Sequence, residues 1–236
     1  MRGSSLNWFE SYLSNRKQYV SVNGHSSSLG DVICGVPQGS VLGPLLFLLY
    51  INDLPNASKI LSFFLFADDT NIYYESDNVT ELKIKINKEL QKVKYWLEVN
   101  KLSLNIDKTN FVIFHSSRKK LPDDIGIKLG KKPVTRTSYV KFLGVLMDEN
   151  LSWKYHISEL TKKLSRSSGI FFKIRYLLPL DILKNLYYSI FSSFLNYGSS
   201  TWGLSYDSYL KPLFLLQKKV LRSISFEPSS TPSSPI

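Results

Sequence analysis

The feature that most constrains this chain is an apolar run that ends in two adjacent carboxylates. Ile60–Phe66 is the kind of continuous apolar segment that predicts a buried strand. Ala67-Asp68-Asp69 follows as a polar, turn-favouring tip, and Asn71–Tyr74 is apolar enough to return as a second strand. The sequence therefore predicts a β-hairpin with Asp68 and Asp69 at its turn.

Two carboxylates at the tip of a rigid hairpin have a possible chemical use. Asp68 and Asp69 would offer oxygen ligands to a hard cation such as Mg²⁺, which shares them with substrate phosphates. In phosphoryl transfer, two such ions about 4 Å apart stabilise the attacking and leaving oxygens. Aspartate is also common in turns for purely conformational reasons. Taken alone, the pair is explained more often by turn geometry than by chemistry.

A glycine-rich segment forms the second notable feature. Gly35 to Gly43 is predicted to be a loop, and Pro44 can open the helix that follows it at the first position. Glycines let a backbone come close to a ligand, and a helix N-terminus favours phosphate. Gln38 offers both a donor and an acceptor to a base or sugar. An ordinary connection between a strand and a helix accounts for the same glycines and proline.

The remaining pattern predicts strands mixed with helices, followed by a helical segment. Strands are expected on both sides of the turn signal Asn23-Gly24, on both sides of Gly130, at Asn110–Phe114 and at Tyr139–Met147. Helices are expected over 5–14, from Pro44 to about Asp53, over Val79–Leu97, and near 153–167, 180–197 and 206–224. This order predicts an α+β fold with an all-α appendage.

Charge is distributed unevenly along the 236 residues. Residues 1–77 hold four Lys or Arg and seven Asp or Glu, so their net charge is −3. The remaining residues have a net charge of +14, which gives +11 for the whole chain. Such a basic region favours a polyanionic partner, although a solvated basic surface has the same composition. The lone cysteine, Cys34, rules out a disulfide framework and fits an intracellular compartment. The N-terminus is not that of a signal peptide, and the longest apolar stretch, Val41–Ile51, is too short to span a membrane.

Together the two local features resemble motifs B and C of reverse transcriptases. Phe66-Ala67-Asp68-Asp69 is the form of motif C that is typical of non-LTR retrotransposon enzymes. Downstream, Asn105–Phe114 resembles motif D, and Phe142-Leu143-Gly144-Val145 resembles motif E, the primer grip. The helix around Trp8 resembles the one that precedes motif B, and the segment from Tyr155 onward resembles the thumb. The resemblance covers residues 3–225, and the ordered set is far more specific than any one motif.

The resemblance implies a role for each matched residue in RNA-directed DNA polymerisation. Asp68 and Asp69 would bind Mg²⁺ (or Mn²⁺), and Lys108 would be a proton donor or a charge partner for pyrophosphate. The primer end would be held by the motif E residues. The partners implied are an RNA template, a DNA primer and deoxynucleotides, with no membrane. The residues expected to contact nucleotide or template are Pro37, Gln38, Gly39, Phe66 and Ala67, and those expected to grip the primer are Phe142, Leu143 and Gly144.

The same resemblance implies how the chain is organised. Residues 1–150 would be a partial polymerase palm with an antiparallel sheet and helices, 151–225 an all-α thumb, and 226–236 a disordered tail. Motif A, which carries the first metal-binding aspartate of the family, would lie upstream of Trp8, so an N-terminally truncated enzyme that is inactive alone is expected. The alternatives are a non-catalytic nucleic-acid-binding remnant and the product of an unstable or untranslated pseudogene.

Overall fold

The computed structural model describes residues 2–122 and 125–228 and divides the chain into two compact units. The first unit holds the described residues up to Leu104 together with Ile127–Lys131. The second unit holds the described residues of Asn105–Gly126 and those from Lys132 onward. Both units mix helices with short strands, which agrees with the α+β prediction.

Up to residue 104 the chain forms three α-helices and six strands. They are α1 (Ser4–Leu13), β1 (Arg16–Gln18), β2 (Ser21–Val22), β3 (His25–Ser26), β4 (Gly30–Val32), α2 (Leu42–Ile51), β5 (Ser62–Phe66), β6 (Asp69–Tyr73) and α3 (Val79–Val99), with a 3-10 turn at Leu54–Ala57. The helices predicted over 5–14 and Val79–Leu97 are confirmed. Pro44 is the third residue of α2 rather than the first, and α2 ends at Ile51.

Beyond residue 104 the described chain first forms short strands and then helices. They are a 3-10 turn at Ile106–Lys108, β7 (Asn110–Phe111), β8 (Lys128–Leu129), β9 (Lys132–Pro133), β10 (Thr135–Arg136), β11 (Tyr139–Phe142), β12 (Val145–Asp148), α4 (Lys154–Ile174), α5 (Leu180–Leu186), a π-helical turn at Tyr187–Ser192, α6 (Ser193–Asn196), α7 (Ser199–Trp202) and α8 (Asp207–Ile224). No described helix has the length and apolar character needed to cross a membrane.

The strands pair two by two, so among the described residues the antiparallel sheet that the resemblance implies is present only as separate two-stranded pairs. The pairs β1–β4, β2–β3, β5–β6 and β11–β12 are antiparallel, and β10 with β7 is parallel. Four of the described pairs, β8–β9 included, join consecutive strands across a two-residue turn. Because such turns bring neighbouring segments together, each of these short hairpins pairs within itself.

Two strand predictions need correction on the same ground. Tyr139–Met147 was expected as one strand but is the hairpin β11–β12, because Leu143 and Gly144 both have positive φ and turn the chain between them. The strand expected over Asn110–Phe114 is only two residues long, paired with β10. Of the predicted disordered tail 226–236, residues 229–236 lie outside the described part of the chain.

The predicted carboxylate hairpin is confirmed. β5 and β6 pair from Ser62 with Tyr73 to Phe66 with Asp69, which leaves Ala67 and Asp68 as the turn. The prediction that this run is fully buried is wrong, because Phe64 and Phe66 are 55% and 60% exposed. A two-stranded hairpin alternates its side chains, and only one of its faces is packed here.

The packed face belongs to the core of the first unit. Ile51, Leu54, Leu61 and Val93 are buried together, so this core joins α2, the hairpin and α3. The partly buried side chains around them are Phe47, Ala57, Phe63, Leu65, Ile72, Tyr74, Ile86, Trp96 and Leu97. The helix α2, which the glycine-rich loop precedes, and the carboxylate hairpin therefore pack into one hydrophobic cluster.

A larger core holds the helices of the second unit. Leu164 and Phe171 of α4 are buried with Leu183, Phe191 and Val220 from the helices that follow. α4 continues past the predicted end at 167 because its small residues do not break it. Ser167 and Ser168 are buried, and their hydroxyls donate to carbonyls of the preceding turn.

A buried carboxylate ties α3 to the segment before β5. Glu89 is 5% exposed, and it accepts a hydrogen bond from Ser58 Oγ at 2.6 Å and pairs with Lys92 Nζ at 2.6 Å. The hydrogen bond from Lys92, together with that from Ser58, lowers the pKa of Glu89 below its usual value. The ionised form is therefore the one that the fold stabilises.

We expect Glu89→Ala to lower the free energy of unfolding by about 2 kcal/mol, since it strands the buried partners of a charged hydrogen bond. Because folding lowers the pKa of Glu89, this difference from wild type should be full above pH about 4.3 and shrink as the pH falls below it. Urea unfolding of wild type and Glu89→Ala at pH 7 and at pH 3.5 measures the loss of stability and its change with pH. The control is Glu81→Ala, which removes an exposed ion pair with Lys85 and should cost under about 1 kcal/mol. Equal losses from the two variants would contradict the assignment.

Candidate functional site

The tip of the β5–β6 hairpin presents its two carboxylates to solvent. Asp68 is the second residue of the turn, and Asp69 begins β6 opposite Phe66, so those two side chains share one face. Neither carboxylate forms a hydrogen bond or an ion pair with the described residues. Ala67 has φ +49°, the left-handed region that L-residues enter at a cost. The tip is therefore a strained turn with two free oxygen donor groups.

These carboxylates do not form a complete metal centre by themselves. Across the described ranges, no group of three or more His, Cys, Asp and Glu side chains is placed to hold one ion. Two adjacent carboxylates match the oxygen preference of Mg²⁺ and Mn²⁺, which complete their coordination with water and phosphate. The donor chemistry fits a divalent cation, and further ligands have to come from elsewhere.

The loop before α2 is held at both ends and open in its middle. Arg16 donates to the carbonyl oxygen of Gly35 at its start, and Ser40 Oγ accepts from the backbone N–H of Gly43 at 3.1 Å at its end. Between them, Gln38 is exposed and Gly39 has φ +81° with open space where a side chain would be. Pro37 lies in the same loop, and its carbonyl accepts from Ser40 N at 3.2 Å. An exposed backbone of this kind can approach a flat ligand closely.

Lys108 belongs to the second unit and is exposed. It ends the 3-10 turn Ile106–Lys108, where the side chain of Asn105 accepts from its backbone N–H at 3.2 Å. The turn leads directly into β7. This cap fixes the backbone of Lys108 and leaves its ammonium group in solvent.

The motif E residues form the turn of the β11–β12 hairpin, also in the second unit. Phe142 pairs with Val145, and Leu143 and Gly144 make the turn with φ +45° and +87°. The hydroxyl of Tyr197 donates to the Leu143 carbonyl oxygen at 2.5 Å. Tyr197 is not predicted from the sequence, although an aromatic residue followed by Gly198 at a break between helices is a signal that could have marked it.

The predicted site residues thus fall into separate groups. Phe66, Ala67, Asp68 and Asp69 lie together at one hairpin tip, and the loop with Gln38 leads into α2, which packs in the same core as that hairpin. Lys108 and the Leu143–Gly144 turn lie in the second unit.

Residues 2–147 match the family model described as reverse transcriptase (RNA-dependent DNA polymerase). This match covers more than half of the chain and includes every predicted site residue. The chain belongs to the reverse transcriptase family.

Within that family, its relatives are the enzymes of non-LTR retrotransposons. It is 30% identical over 230 residues to the RNA-directed DNA polymerase from mobile element jockey of Drosophila melanogaster, covering 93% of this chain and 25% of that protein. It is 30% identical over 223 residues to the probable RNA-directed DNA polymerase from transposon X-element of the same species, covering 92% and 24%. A Pol polyprotein of the type-1 retrotransposable element R1 of Bradysia coprophila is 28% identical over 199 residues, covering 81% and 19%.

The chain spans about a quarter of the length of the first of these relatives. No solved structure matches it at a significant level. The matched reverse transcriptase region, residues 2–147, includes the hairpin tip, the loop before α2, Lys108 and the Leu143–Gly144 turn.

The strain at the hairpin tip leads to a prediction for Ala67. An L-residue in the left-handed region lowers the free energy of unfolding by about 1–2 kcal/mol. Glycine avoids this strain but has more conformational freedom in the unfolded chain, which lowers the free energy of unfolding by about 0.5–1 kcal/mol. Ala67→Gly should therefore raise the free energy of unfolding by about 0.5 kcal/mol. Ala57→Gly, in a turn without positive φ, should lower it. Urea unfolding of both variants tests this, and a loss of stability in Ala67→Gly would show that the turn is not strained.

Proposed function

We propose that this chain is the second half of the palm, with the thumb, of an RNA-directed DNA polymerase that extends a DNA primer on an RNA template. The observation that carries the proposal is the pair Asp68 and Asp69, exposed and unpartnered among the described residues, at the tip of a hairpin that shares a core with α2. The reaction is attack of the primer 3′-hydroxyl on the α-phosphate of a deoxynucleotide, with pyrophosphate leaving. Residues up to 150 supply the palm and 151–225 the thumb.

In this proposal Asp68 is the main ligand of a divalent cation, and Asp69 is its partner. A bound Mg²⁺ or Mn²⁺ would supply charge stabilisation for the attacking and leaving oxygens. The chain holds both carboxylates at the turn of a hairpin, and the strands of that hairpin are packed on one face. Phe66 and Ala67 carry the turn and border the nucleotide.

The other matched residues act by binding and orientation. Gln38, in its open loop between Pro37 and Gly39, contacts the nucleotide or the template base. Lys108 provides a charge partner for pyrophosphate or a proton donor. Phe142, Leu143 and Gly144 position the primer end. These roles come from the family resemblance, and the exposure of Gln38 and Lys108 is compatible with them.

Catalysis requires at least one carboxylate beyond the hairpin tip, since the described residues offer no third metal ligand there. The open face of the hairpin supports the proposal that another segment packs against it. Phe64, Phe66 and Tyr73 are large apolar side chains that lie on that face and are exposed. Such a surface is unfavourable in water and favours coverage by further protein. We infer that the 236 residues by themselves do not polymerise.

The polymerase proposal is tested by joining the chain to the segment that precedes the matched region in the jockey polymerase of Drosophila melanogaster. The 236 residues alone should extend no primer above background with Mg²⁺, primed RNA and deoxynucleotides, whereas the fusion should extend it. In the fusion, Asp68→Asn should reduce the rate by at least about a hundredfold, because each ~1.4 kcal/mol of lost transition-state stabilisation is tenfold.

The matched control is Asp53→Asn, which neutralises an exposed aspartate elsewhere in the same unit and should leave the rate unchanged. Extension by the isolated chain that depends on Asp68 would mean that the further carboxylate lies within these residues. Extension by the fusion that is indifferent to Asp68→Asn would refute the proposed role of the hairpin.

A second candidate is a nucleic-acid-binding module without catalysis, and the helices of the second unit favour it. Their cationic side chains lie against aromatic rings, with Lys163 Nζ 3.5 Å from the centroid of Phe194 and the Arg175 guanidinium 4.4 Å from that of Tyr176. Lys218 and Lys219 are placed in the same way over Phe214 and Phe172 at 4.0 and 5.0 Å. Ring contacts of this kind limit the conformations of long cationic side chains. The result is a basic helical surface suited to a phosphate backbone.

Binding to a template–primer duplex should therefore weaken steeply with salt, because each neutralised phosphate releases counterions. Fluorescence anisotropy across a salt series measures the slope of log affinity against log salt. Arg166 and Lys173 are two further exposed cations of α4, and replacing both by glutamine should make the slope shallower by about 2, roughly one for each lost phosphate contact. Lys59→Gln, in the acidic part of the chain, should leave it unchanged. A flat salt response in the wild-type chain would refute nucleic-acid binding by this surface.

A further inference from the structure

The turn of the β11–β12 hairpin is fixed by a side chain from the helices that follow it. The Tyr197 hydroxyl donates to the Leu143 carbonyl oxygen at 2.5 Å, and a Cβ added at Gly144 would lie 3.3 Å from the Tyr197 ring. Tyr197 follows α6 immediately and is 54 residues away from Leu143 in sequence. One tyrosine thus contacts both residues of the turn, through its hydroxyl and its ring.

The backbone of Tyr197 is itself held by a hydrogen bond. The indole Nε1–H of Trp202 donates to the Tyr197 carbonyl oxygen at 3.0 Å, and Trp202 is buried. Gly198 has φ +64°, and a Cβ there would lie 3.0 Å from Val145 Cγ2. A side chain at 198 would be strained at this φ and would crowd the Val145 side chain of β12, so glycine suits the close approach of this segment to the hairpin.

A buried histidine, His156, contacts both Trp202 and the hairpin. The His156 ring lies 5.6 Å from the Trp202 ring, and its Nδ1 accepts from the backbone N–H of Leu146 in β12 at 3.3 Å. Burial lowers the pKa of His156, so the ring is neutral at pH 7 and Nδ1 keeps its lone pair for this bond. The contacts therefore run from the hairpin through Tyr197, Trp202 and His156 and return to the hairpin.

The bond from Tyr197 is better explained by positioning than by stability. Tyr197 is 56% exposed, and its hydrogen bond to Leu143 is solvent-accessible. Water would satisfy an exposed carbonyl about equally well, so the bond adds little to stability. It does select one orientation for a turn in which Leu143 has φ +45°, a conformation that L-residues rarely adopt.

We propose that Tyr197 is a positioning residue for the primer 3′ end. It acts by fixing the Leu143–Gly144 turn against the helices of the second unit. The inference rests on the proposed function, in which this turn contacts the primer. Tyr197 does not touch the primer in this scheme. Trp202 and His156 support it by fixing the backbone of Tyr197 and the strand on the far side of the turn.

The test compares Tyr197→Phe with Tyr187→Phe in the full 236-residue chain. Both remove one tyrosine hydroxyl that makes one hydrogen bond in the second unit, since Tyr187 Oη accepts from Gln217 Nε2 at 3.0 Å. Only the first touches the hairpin. The measured quantity is the ratio of affinities for an RNA–DNA duplex with a recessed primer 3′ end and for a blunt duplex of the same sequence and length. Thermal unfolding of each variant reports its stability.

The wild-type chain should prefer the recessed end, and Tyr197→Phe should reduce that preference by about fivefold, the factor that one ordinary hydrogen bond contributes. Its affinity for the blunt duplex should stay at the wild-type level, and Tyr187→Phe should keep the full preference. An unchanged preference in Tyr197→Phe overturns the role of Tyr197 and leaves the proposed function intact. An equal loss in both variants assigns Tyr197 a merely structural role. A wild-type chain that binds both duplexes equally overturns the primer-end assignment itself.

Discussion

The packing of one face of a two-stranded hairpin against two helices determines most of what this chain can do. Leu61, at the entry to the hairpin, is buried with Leu54 and with Val93 of α3, and Phe63 and Leu65 pack beside them. Because side chains alternate along a strand, this packing turns the opposite face and the tip towards solvent. The tip carboxylates are thus rigidly mounted yet exposed, the combination that an oxygen-ligand metal site needs.

Backbone strain at Leu143 and at Trp153 is held in place by neighbouring side chains. Leu143 adopts positive φ where Tyr197 binds its carbonyl. Trp153 does so at the start of α4, where the buried Asp148 carboxylate accepts from the backbone N–H groups of Ser152 and Trp153 at 3.1 and 2.9 Å. Ala67 has no comparable side-chain support, and its strain falls next to the two candidate catalytic aspartates. Strain of this kind is tolerated where it fixes a functional geometry.

Acidic and basic residues are concentrated in different parts of the chain. The candidate metal carboxylates lie within residues 1–77, which carry a net −3, and the basic excess follows them. In the second unit, cations such as Lys163 and Lys219 lie over aromatic rings that are themselves part of, or next to, the helical core. In the proposed function, a divalent cation and a polyanion would be recognised by different parts of the sequence.

The sequence alone determined the local features, because these depend on periodicity and turn chemistry. The hairpin tip at Asp68, the helix over 79–97, the Asn23-Gly24 turn and the family itself all followed from the order of residues. Only the tertiary structure decided which face of a strand is buried, since an apolar run reads the same whether one face or two are covered. It also decided that Tyr197 reaches Leu143, because a contact across 54 residues depends on how helices pack and leaves no periodic trace in the chain.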